Sequence, residues 1–389
     1  GSWYQVPNGW IELQKSSANP SISDGNGNYT LEGAKYGIYK GDKLIQTLTT
    51  DKNGYAKSKE LEEGSYTVKE ISAPAGFIVD ATAHDVNVKP EETSTVKSSD
   101  IPQNNPISLI LQKLDLETGE GKPQGNSSLA NAEFTIKFYT ELSDTDPATS
   151  GKKPVRTWVM KTNASGEMHF TKDYFVSGDE FYYASDKKTV CLPIGTVTIQ
   201  ETKAPKNYFL NETVFVQKIT GSGSQESVSI YNASNVEEQV YRGGVKVQKR
   251  DLETQDTVSQ GNATLAGATF SITTLNEQPV WVNGKLYQKD EMCLTIITDE
   301  NGLASTEEKA LPVGHYRIEE TQAPTGYLKD GAKTLEFEIT KDGEMVDLTS
   351  KDTSIANQVI RGGVKVQKRD IETGETKPQG NATLEGATF

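Results

Sequence analysis

The sequence predicts an all-β chain built from several β-sandwiches in tandem. Short runs of alternating apolar and polar residues recur along the chain, which is the pattern of strands with one buried face. Turns rich in Gly, Asn, Asp and Pro separate these runs, and no segment shows a convincing amphipathic-helix period. Residues 242–270 recur as residues 361–389, with 23 of 29 positions identical, which indicates repeated modules.

The repeat divides the chain into three modules and part of a fourth. A length of 389 residues suits three domains of roughly 100 to 150 residues. The predicted modules are residues 3–104 (module 1), 105–240 (module 2) and 241–360 (module 3), and residues 361–389 are predicted to be the truncated start of a fourth repeat. Because the linkers between them are short, we expect the modules to lie end to end as a semi-rigid rod.

Each module opens with a strand that ends on an inward-facing lysine. In the predicted strands 11–15, 109–113 and 245–249, the period-two alternation places Lys15, Lys113 and Lys249 on the same face as two aliphatic residues. An unpaired buried ammonium is costly, so three such lysines indicate a specific role. Lys368 holds the same position in the fourth repeat, and we expect it to stay unbonded.

The middle of each module contains a Leu-x-x-Ala box, a turn and a second marked strand. By the same alternation, the strands 66–70, 197–201 and 316–320 each end on an inward glutamate, namely Glu70, Glu201 and Glu320. An Ala-Pro turn follows and requires a positive φ near its end. Gly76 and Gly326 meet that requirement, and Asn207 can tolerate it.

A closing strand supplies the third polar residue of each module. The predicted strands 96–100, 228–232 and 355–357 place Asp100, Asn232 and Asn357 on the apolar face. In module 2, Asn235 competes with Asn232 for this position. We favour Asn232 because the sequence Ser-Ile-Tyr-Asn at residues 229–232 aligns with Ser-Ile-Ala-Asn at residues 354–357.

Module 2 contains a long insertion at about residues 137–190, and module 3 has a shorter one. The long insertion includes Trp158 and the aromatic run at residues 181–183. It is interpreted as a hairpin extension that covers its own core, with a binding loop on the rim as the alternative.

Composition excludes several classes of function. The net charge of −14 argues against nucleic acid or anionic lipid as a partner, and no apolar run is long enough to insert into a membrane. Cys191 and Cys293 fall in different modules, so neither can form a disulfide within its own module. The three histidines lack metal-ligand spacing. We therefore expect no metal and no cofactor.

The three polar residues of a module together suggest a covalent reaction. Burial lowers the pKa of a lysine and raises that of a glutamate, which favours a neutral amine beside a carboxylic acid. A neutral amine can attack the side-chain carbonyl of the acceptor, with the glutamate hydrogen-bonded to that carbonyl and shuttling protons to the leaving group. The product is an amide between side chains. Asn acceptors would release ammonia, and Asp100 would release water.

This order of motifs resembles the collagen-adhesin B-type domains of Gram-positive surface adhesins and pilins. The resemblance rests on the lysine strand, the Leu-x-Gly-Ala box and Tyr-x-x-x-Glu-x-x-Ala-Pro, and it covers essentially the whole chain. It implies prealbumin-like (reverse immunoglobulin-like) sandwiches in which Lys15–Asp100, Lys113–Asn232 and Lys249–Asn357 form isopeptide bonds spontaneously. Glu70, Glu201 and Glu320 would act as proton shuttles.

The resulting prediction is a structural one. We expect a monomeric, self-crosslinked stalk region of a cell-wall-anchored surface protein, with single-turnover chemistry only. One alternative is a ligand-binding region that recognises a host matrix protein or glycan. The other is an accessory region of a secreted polysaccharide-degrading enzyme.

Overall fold

The protein is described by a computed structural model over residues 7–329 and 333–389. The chain is almost entirely β, as predicted. Helical structure in this part of the chain is limited to α1 (Pro20–Ser23) and two 3-10 turns, Pro147–Ser150 and Lys172–Tyr174. The predicted start of module 1 at residue 3 lies outside the described residues.

Module 1 is a sandwich of two four-stranded sheets. Strands β4, β1 and β5 form one sheet, in which β8 pairs with β1 in parallel, and the other has the order β3-β2-β6-β7. The strands are β1 (Asn8–Ser17), β2 (Lys35–Lys40), β3 (Lys43–Thr49), β4 (Tyr55–Lys57), β5 (Leu61–Glu62), β6 (Gly64–Ser72), β7 (His84–Val88) and β8 (Thr93–Asp100).

Module 2 repeats this plan with additional strands. Its sheets have the orders β13-β10-β19, β14-β12-β11-β17-β18 and β15-β16-β9. The strands are β9 (Asn104–Pro106), β10 (Leu109–Asp115), β11 (Glu133–Tyr139), β12 (Arg156–Lys161), β13 (Glu167–His169), β14 (Phe175–Gly178), β15 (Tyr182–Tyr183), β16 (Val190–Pro193), β17 (Gly195–Lys203), β18 (Val214–Ile219) and β19 (Ser234–Glu238).

Module 3 has the same two principal sheets and a separate hairpin, β22-β23. Strand β20 pairs with β25 and β26 and, in parallel, with β29 and β30, while the second sheet has the order β24-β21-β27-β28. The strands are β20 (Arg242–Asp251), β21 (Thr269–Thr274), β22 (Val280–Val282), β23 (Lys285–Tyr287), β24 (Met292–Ile297), β25 (Leu303–Ser305), β26 (Leu311–Pro312), β27 (Gly314–Gln322), β28 (Leu335–Ile339), β29 (Met345–Leu348) and β30 (Ile355–Asn357).

In every module the strand that carries the lysine and the last strand lie side by side and run parallel. The pairs are β1 with β8, β10 with β19, and β20 with β30. The glutamate strands β6, β17 and β27 lie in the opposite sheet. Because alternate side chains of a strand share a face, the inward residues of both sheets meet in the core between them.

The insertion of module 2 becomes part of that module's fold. Strands β12 and β14 extend the sheet of the glutamate strand. Trp158 is fully buried and makes edge-to-face contacts with Phe170 and Tyr182, an arrangement typical of aromatic cores. Phe181 and Tyr182 are also buried. These side chains cover their own core, in agreement with the hairpin-extension interpretation.

The boundary predicted between residues 104 and 105 falls within β9. That strand pairs with β16, a strand of module 2, so Asn104 belongs to module 2. Residues 361–389 contain turns and no strand, and most of them are exposed. No helix in the described ranges is both long and apolar enough to cross a bilayer.

Candidate functional site

Each module brings its predicted lysine and glutamate together between the two sheets. All six side chains are fully buried. The lysine Nζ lies 3.3 Å from Glu70 Oε2 in module 1, 3.1 Å from Glu201 Oε1 in module 2 and 2.6 Å from Glu320 Oε2 in module 3. The alternation of the strands therefore places these ionisable groups in the core, where a charged group without a partner would be strongly unfavourable.

A turn glycine fixes the backbone of each lysine. Its carbonyl accepts the lysine N–H at 2.8 Å in module 1 and 2.7 Å in modules 2 and 3. All three glycines have a positive φ, of 73° or 74°, and a Cβ on Gly54 would overlap the lysine carbonyl oxygen. The sequence indicated these residues only as turn glycines; the pairs are Gly54 with Lys15, Gly166 with Lys113 and Gly302 with Lys249.

In module 1 three polar groups contact the lysine, and a fourth contacts one of these three. Asp100, on β8, is fully buried and contacts Lys15 Nζ. The same amine donates to the Tyr36 hydroxyl at 3.1 Å, and that hydroxyl donates to Glu70 Oε2 at 2.8 Å. Ser98 Oγ lies 2.8 Å from the hydroxyl. The sequence analysis did not single out Tyr36 or Ser98.

Module 3 joins its lysine and its acceptor through the glutamate. Glu320 Oε2 lies 2.6 Å from Lys249 Nζ, and Glu320 Oε1 accepts from Asn357 Nδ2 at 2.7 Å. Asn357 Nδ2 also donates to the Leu328 carbonyl at 2.5 Å, which fixes the orientation of the amide because a carbonyl only accepts. We expected the glutamate to face the amide oxygen, but it faces the nitrogen that would leave.

In module 2 the structure does not place the predicted acceptor Asn232 beside Lys113. Glu238, which is buried, contacts Lys113 Nζ, whereas Asn232 and the alternative Asn235 are exposed. The closing strand is β19, residues 234–238, and the predicted strand at residues 228–232 has no strand structure. The Ser-Ile-x-Asn match therefore aligned residues 229–232, which connect two strands of module 2, with residues 354–357, which include β30 of module 3.

The strand register explains why Glu238 is the equivalent residue. In all three modules the acceptor lies opposite the residue two positions after the lysine, so lysine and acceptor point to the same face. A signal was present in the sequence, because Gln-Val-x-Arg-Gly-Gly directly follows both Glu238 and Asn357. The register pairs are Ser17 with Asp100, Asp115 with Glu238 and Asp251 with Asn357.

Burial shifts the pKa values of Lys113, Lys249, Glu70 and Glu201 in the direction that favours their neutral forms. It lowers the pKa of Lys113 to about 6, and it lowers the pKa of Lys249 against the opposing effect of Glu320. Desolvation also raises the pKa of Glu70 and of Glu201 to about 8. Near neutral pH, Lys113 and Glu201 therefore favour a free amine beside a protonated carboxyl group.

The arrangement can support amide formation between side chains. A neutral amine is a nucleophile, and an adjacent carboxylic acid can exchange protons with both the amine and the leaving group. The fold holds these groups in contact, so the reaction requires no diffusional encounter. A carboxyl or carboxamide group on the last strand supplies the electrophilic carbon.

Modules 2 and 3 also share a second buried polar cluster, which the sequence analysis missed. Asp115 accepts from Gln124 Nε2 at 3.0 Å and from the Tyr208 hydroxyl at 2.7 Å. Asp251 does the same with Gln260 Nε2 and the Tyr327 hydroxyl, at 2.9 and 2.8 Å. Hydrogen bonds satisfy both carboxylates, so we interpret Asp115 and Asp251 as structural residues that take no part in the proposed reaction.

Lys368, the lysine of the fourth repeat, is exposed. Cys191 and Cys293 are buried free thiols. Within the described ranges, no group of three or more His, Cys, Asp and Glu side chains is arranged to hold a metal ion.

A comparison with a solved structure shows a similar fold. The TIE protein of Bacillus anthracis matches with a TM-score of 0.53 and 23% identity, over 90% of this chain and 51% of that one. The major pilin subunit BcpA of Bacillus cereus matches with a TM-score of 0.32 and 17% identity, over 91% of this chain and 100% of that one.

Sequence comparisons identify a curated relative and a family. The trypsin-resistant surface T6 protein of Streptococcus pyogenes is 40% identical over 70 residues, which span 18% of this chain and 13% of that protein. The family described as SpaA, prealbumin-like fold domain, matches residues 21–102, 111–234 and 245–354. These three segments cover most of the chain and one falls in each of the three sandwiches, so the chain belongs to the SpaA family of prealbumin-like fold domains.

Proposed function

We propose that this chain is a stalk region of a Gram-positive surface or pilus-like protein, with each module closed by an internal isopeptide bond. The bonds join Lys15 to Asp100, Lys113 to Glu238 and Lys249 to Asn357. The observation that carries the proposal is the threefold recurrence of a buried lysine beside a buried glutamate, with an acceptor on the neighbouring last strand.

The reaction is balanced within each module. The lysine nitrogen forms a bond to the side-chain carbonyl carbon of the acceptor, and the bond from that carbon to its oxygen or nitrogen leaving group breaks. The glutamate takes a proton from the attacking nitrogen and delivers one to the leaving group. Asp100 and Glu238 release water, and Asn357 releases ammonia. In module 3, the contact between Glu320 and Asn357 Nδ2 suits proton delivery to ammonia.

The positions of the bonds suit a load-bearing role. Each bond would connect the lysine strand of a module to its last strand, so tension along the chain would pass through the bond and bypass most of the sandwich. A covalent link that closes a loop of this size also stabilises the fold by about 4 to 5 kcal/mol, by analogy with disulfides. The reaction occurs once per module, so no enzymatic turnover is part of the proposal.

Location at the cell surface is part of the same proposal. The 40% identity to a streptococcal surface protein over 70 residues supports it. We propose module boundaries between residues 100 and 104, near residue 241 and near residue 361, with residues 361–389 as the first part of a fourth repeat.

Intact mass under denaturing conditions tests the proposal. The expected mass is lower than the sequence mass by two waters and one ammonia. Glu70→Gln, Glu201→Gln and Glu320→Gln should each restore one of these losses. Glu319→Gln is the matched control, because Glu319 is adjacent to Glu320 but points away from the core, and it should keep all three losses.

The acceptor of module 2 can be tested in the same way. Glu238→Ala should restore one water, whereas Asn232→Ala and Asn235→Ala should leave the mass deficit unchanged. A wild-type chain with the full sequence mass would refute isopeptide formation altogether. A deficit that Asn232→Ala abolishes would refute the assignment of Glu238.

A further inference from the structure

The two junctions between complete modules use the same loop. This docking loop lies just before the Leu-x-x-Ala box, at residues 26–28 in module 1 and 124–126 in module 2. It contacts the following module at the aliphatic residue that directly precedes the first glycine of that module's glutamate strand. Asn26 Nδ2 donates to the Ile194 carbonyl at 2.8 Å, and the Asn126 N–H donates to the Val313 carbonyl at 3.0 Å.

At the second junction, residues of module 3 pack closely against the docking loop of module 2. The Trp281 N–H donates to Gln124 Oε1 at 2.7 Å, and the Gly125 N–H donates to the Pro279 carbonyl at 3.2 Å. Gly125 has a φ of 54°, and a Cβ there would overlap the Val313 carbonyl oxygen. A glycine is therefore required at this position once the next module is seated.

An arginine also fastens the second junction. Arg242, at the start of module 3, donates through Nε and Nη2 to Glu117 Oε1 of module 2 at 3.2 and 3.1 Å. Its Nη1 donates to the Ala310 carbonyl at 2.9 Å. The two charged side chains are only 11% and 19% exposed, so this pair is shielded from water more than an ordinary surface ion pair.

Module 3 carries the same surface in an exposed form. Its docking loop is residues 260–262, in which Gly261 and Asn262 are exposed. The loop lines a cleft of about 560 Å³ together with Val359 and Ile360. The equivalent arginine is already in place, because Arg361 donates to Glu253 Oε1 at 2.8 Å. A Cβ on Gly261 would meet nothing within 4 Å.

We propose that the docking loop at residues 260–262 is the binding site for another module of the same type. The occupant would present an aliphatic residue and a glycine at the start of its glutamate strand, as module 3 does to module 2. Residues 361–389 repeat residues 242–270, so they provide the opening segment of such a module. Module 1 has Glu63 where modules 2 and 3 have Ile194 and Val313, which disfavours a second copy of the chain docking by its module 1.

The test is to add such a module to the chain and to follow amide hydrogen exchange. Because Phe389 aligns with Phe270, a copy of residues 271–360 placed after Phe389 gives a fourth module with every segment of module 3. In this extended chain, the amides of residues 260–263 should exchange at least about tenfold more slowly than in the 389-residue chain. The amides of residues 124–127 should be protected in both chains.

Two matched variants distinguish docking from a general change in stability. Gly261→Asn should fold normally in the 389-residue chain, because asparagine tolerates a positive φ and space is available. In the extended chain it should abolish the added protection. Gly267→Asn is the control, because module 2 has Asn131 at the equivalent position with a φ of 63°, and it should keep the protection.

Two outcomes would overturn the proposal. One is a folded fourth module, shown by slow exchange within residues 364–369, with no change at residues 260–263. The other is protection of residues 260–263 in the 389-residue chain that increases with protein concentration, which would assign the surface to self-association. Neither outcome depends on whether the isopeptide bonds form.

Discussion

Modules 1 and 3 hold the same lysine and glutamate in different surroundings. In module 1 the amine meets the Tyr36 hydroxyl and Asp100, and Ser98 completes the hydrogen-bonded cluster. In module 3 the strand register places Phe270 opposite Glu320, where module 1 has Tyr36 opposite Glu70. Strand geometry thus fixes the position of the lysine and of the glutamate in the opposite sheet, while the residue type on the last strand and its neighbours vary.

The difference shows which features the proposed reaction requires. Module 2 also has an aromatic residue without a hydroxyl, Phe134, opposite its glutamate, and its acceptor is a longer carboxyl side chain. An amide, a short acid and a long acid therefore occupy the same position relative to the lysine. The common requirement is a carbonyl carbon on the last strand, opposite the second residue after the lysine.

Removing the lysine should produce the largest effect. Lys15→Met and Lys249→Met each prevent the bond, and the free energy of unfolding of the affected module should fall by about 4 kcal/mol. The decrease should be greater in module 1, because its remaining buried polar groups lose a partner at a cost of about 1 to 3 kcal/mol. Denaturant-dependent hydrogen exchange of each core measures this.

The control for these variants is Lys246→Met. Lys246 lies on the same strand as Lys249, but its side chain is 43% exposed, so the variant should be close to neutral. Equal losses in modules 1 and 3 would contradict the comparison between their surroundings.

Exchanging the acceptors should change the leaving group but keep the product. Asp100→Asn in module 1 and Asn357→Asp in module 3 both yield the same amide as the wild-type chain, so the crosslinked masses should be identical to that of wild type. Asp100→Ala and Asn357→Ala should instead lose one bond each. Mass spectrometry of the intact chains distinguishes these results, and failure of both exchanges would show that each site is specific for its own acceptor.

The pH dependence of bond formation should be clearest in module 2. The pKa of Lys113 is lowered to about 6, so the reactive amine predominates above that pH. The pKa of Glu201 is raised to about 8, so its acid form predominates below that pH. The rate should therefore be highest between about pH 6 and 8 and decrease on both sides.

This profile can be measured on chain kept unfolded since synthesis and then refolded at different pH values. The loss of the module 2 water is followed by mass over time. A rate that rises steadily from pH 5 to 10 would show that no protonated Glu201 is needed.

The smallest expected effect concerns Tyr36. Tyr36→Phe removes the hydroxyl that links Lys15 to Glu70 and makes module 1 resemble module 3. The hydrogen bond from Lys15 Nζ to this hydroxyl corresponds to about 0.5 to 1.5 kcal/mol, so without it the proposed bond in module 1 should form up to about tenfold more slowly. Phe270→Tyr is the converse variant, and an unchanged rate for Tyr36→Phe would limit this hydroxyl to packing.

The fold and two of the three clusters could be predicted from the sequence because strand alternation is a local signal. Lys15 and Glu70 are identified by their neighbours in the same strand, without knowledge of the partner strand. The acceptor depends on the register of a parallel pair more than 80 residues apart, which alternation does not encode. In module 2 the match of residues 229–232 to residues 354–357 therefore led to Asn232, although the shared sequence Gln-Val-x-Arg-Gly-Gly aligns Glu238 with Asn357.

Other features depended on packing that only the structure reveals. For the aromatic insertion of module 2 the sequence favoured a hairpin extension but left a binding loop on the rim as the alternative, and the structure buries Trp158 in the core. The contact of Gly54 with Lys15 connects β1 to the turn before β4. The sequence shows this turn as a common type and gives no sign of the contact. In the sequence Tyr36 is one of many aromatic residues in strands. Only the structure shows that its hydroxyl lies beside Lys15.

Complete burial of the lysines would also affect how long the proposed bonds last. Hydrolysis of an amide needs water at the carbonyl carbon, and the side chains that flank this carbon in each module are shielded from solvent. Proteases also cannot reach a link between side chains inside a folded sandwich. The exclusion of water that favours the reactive amine would therefore also protect the amide. A crosslink, once formed, would then persist for the lifetime of the protein.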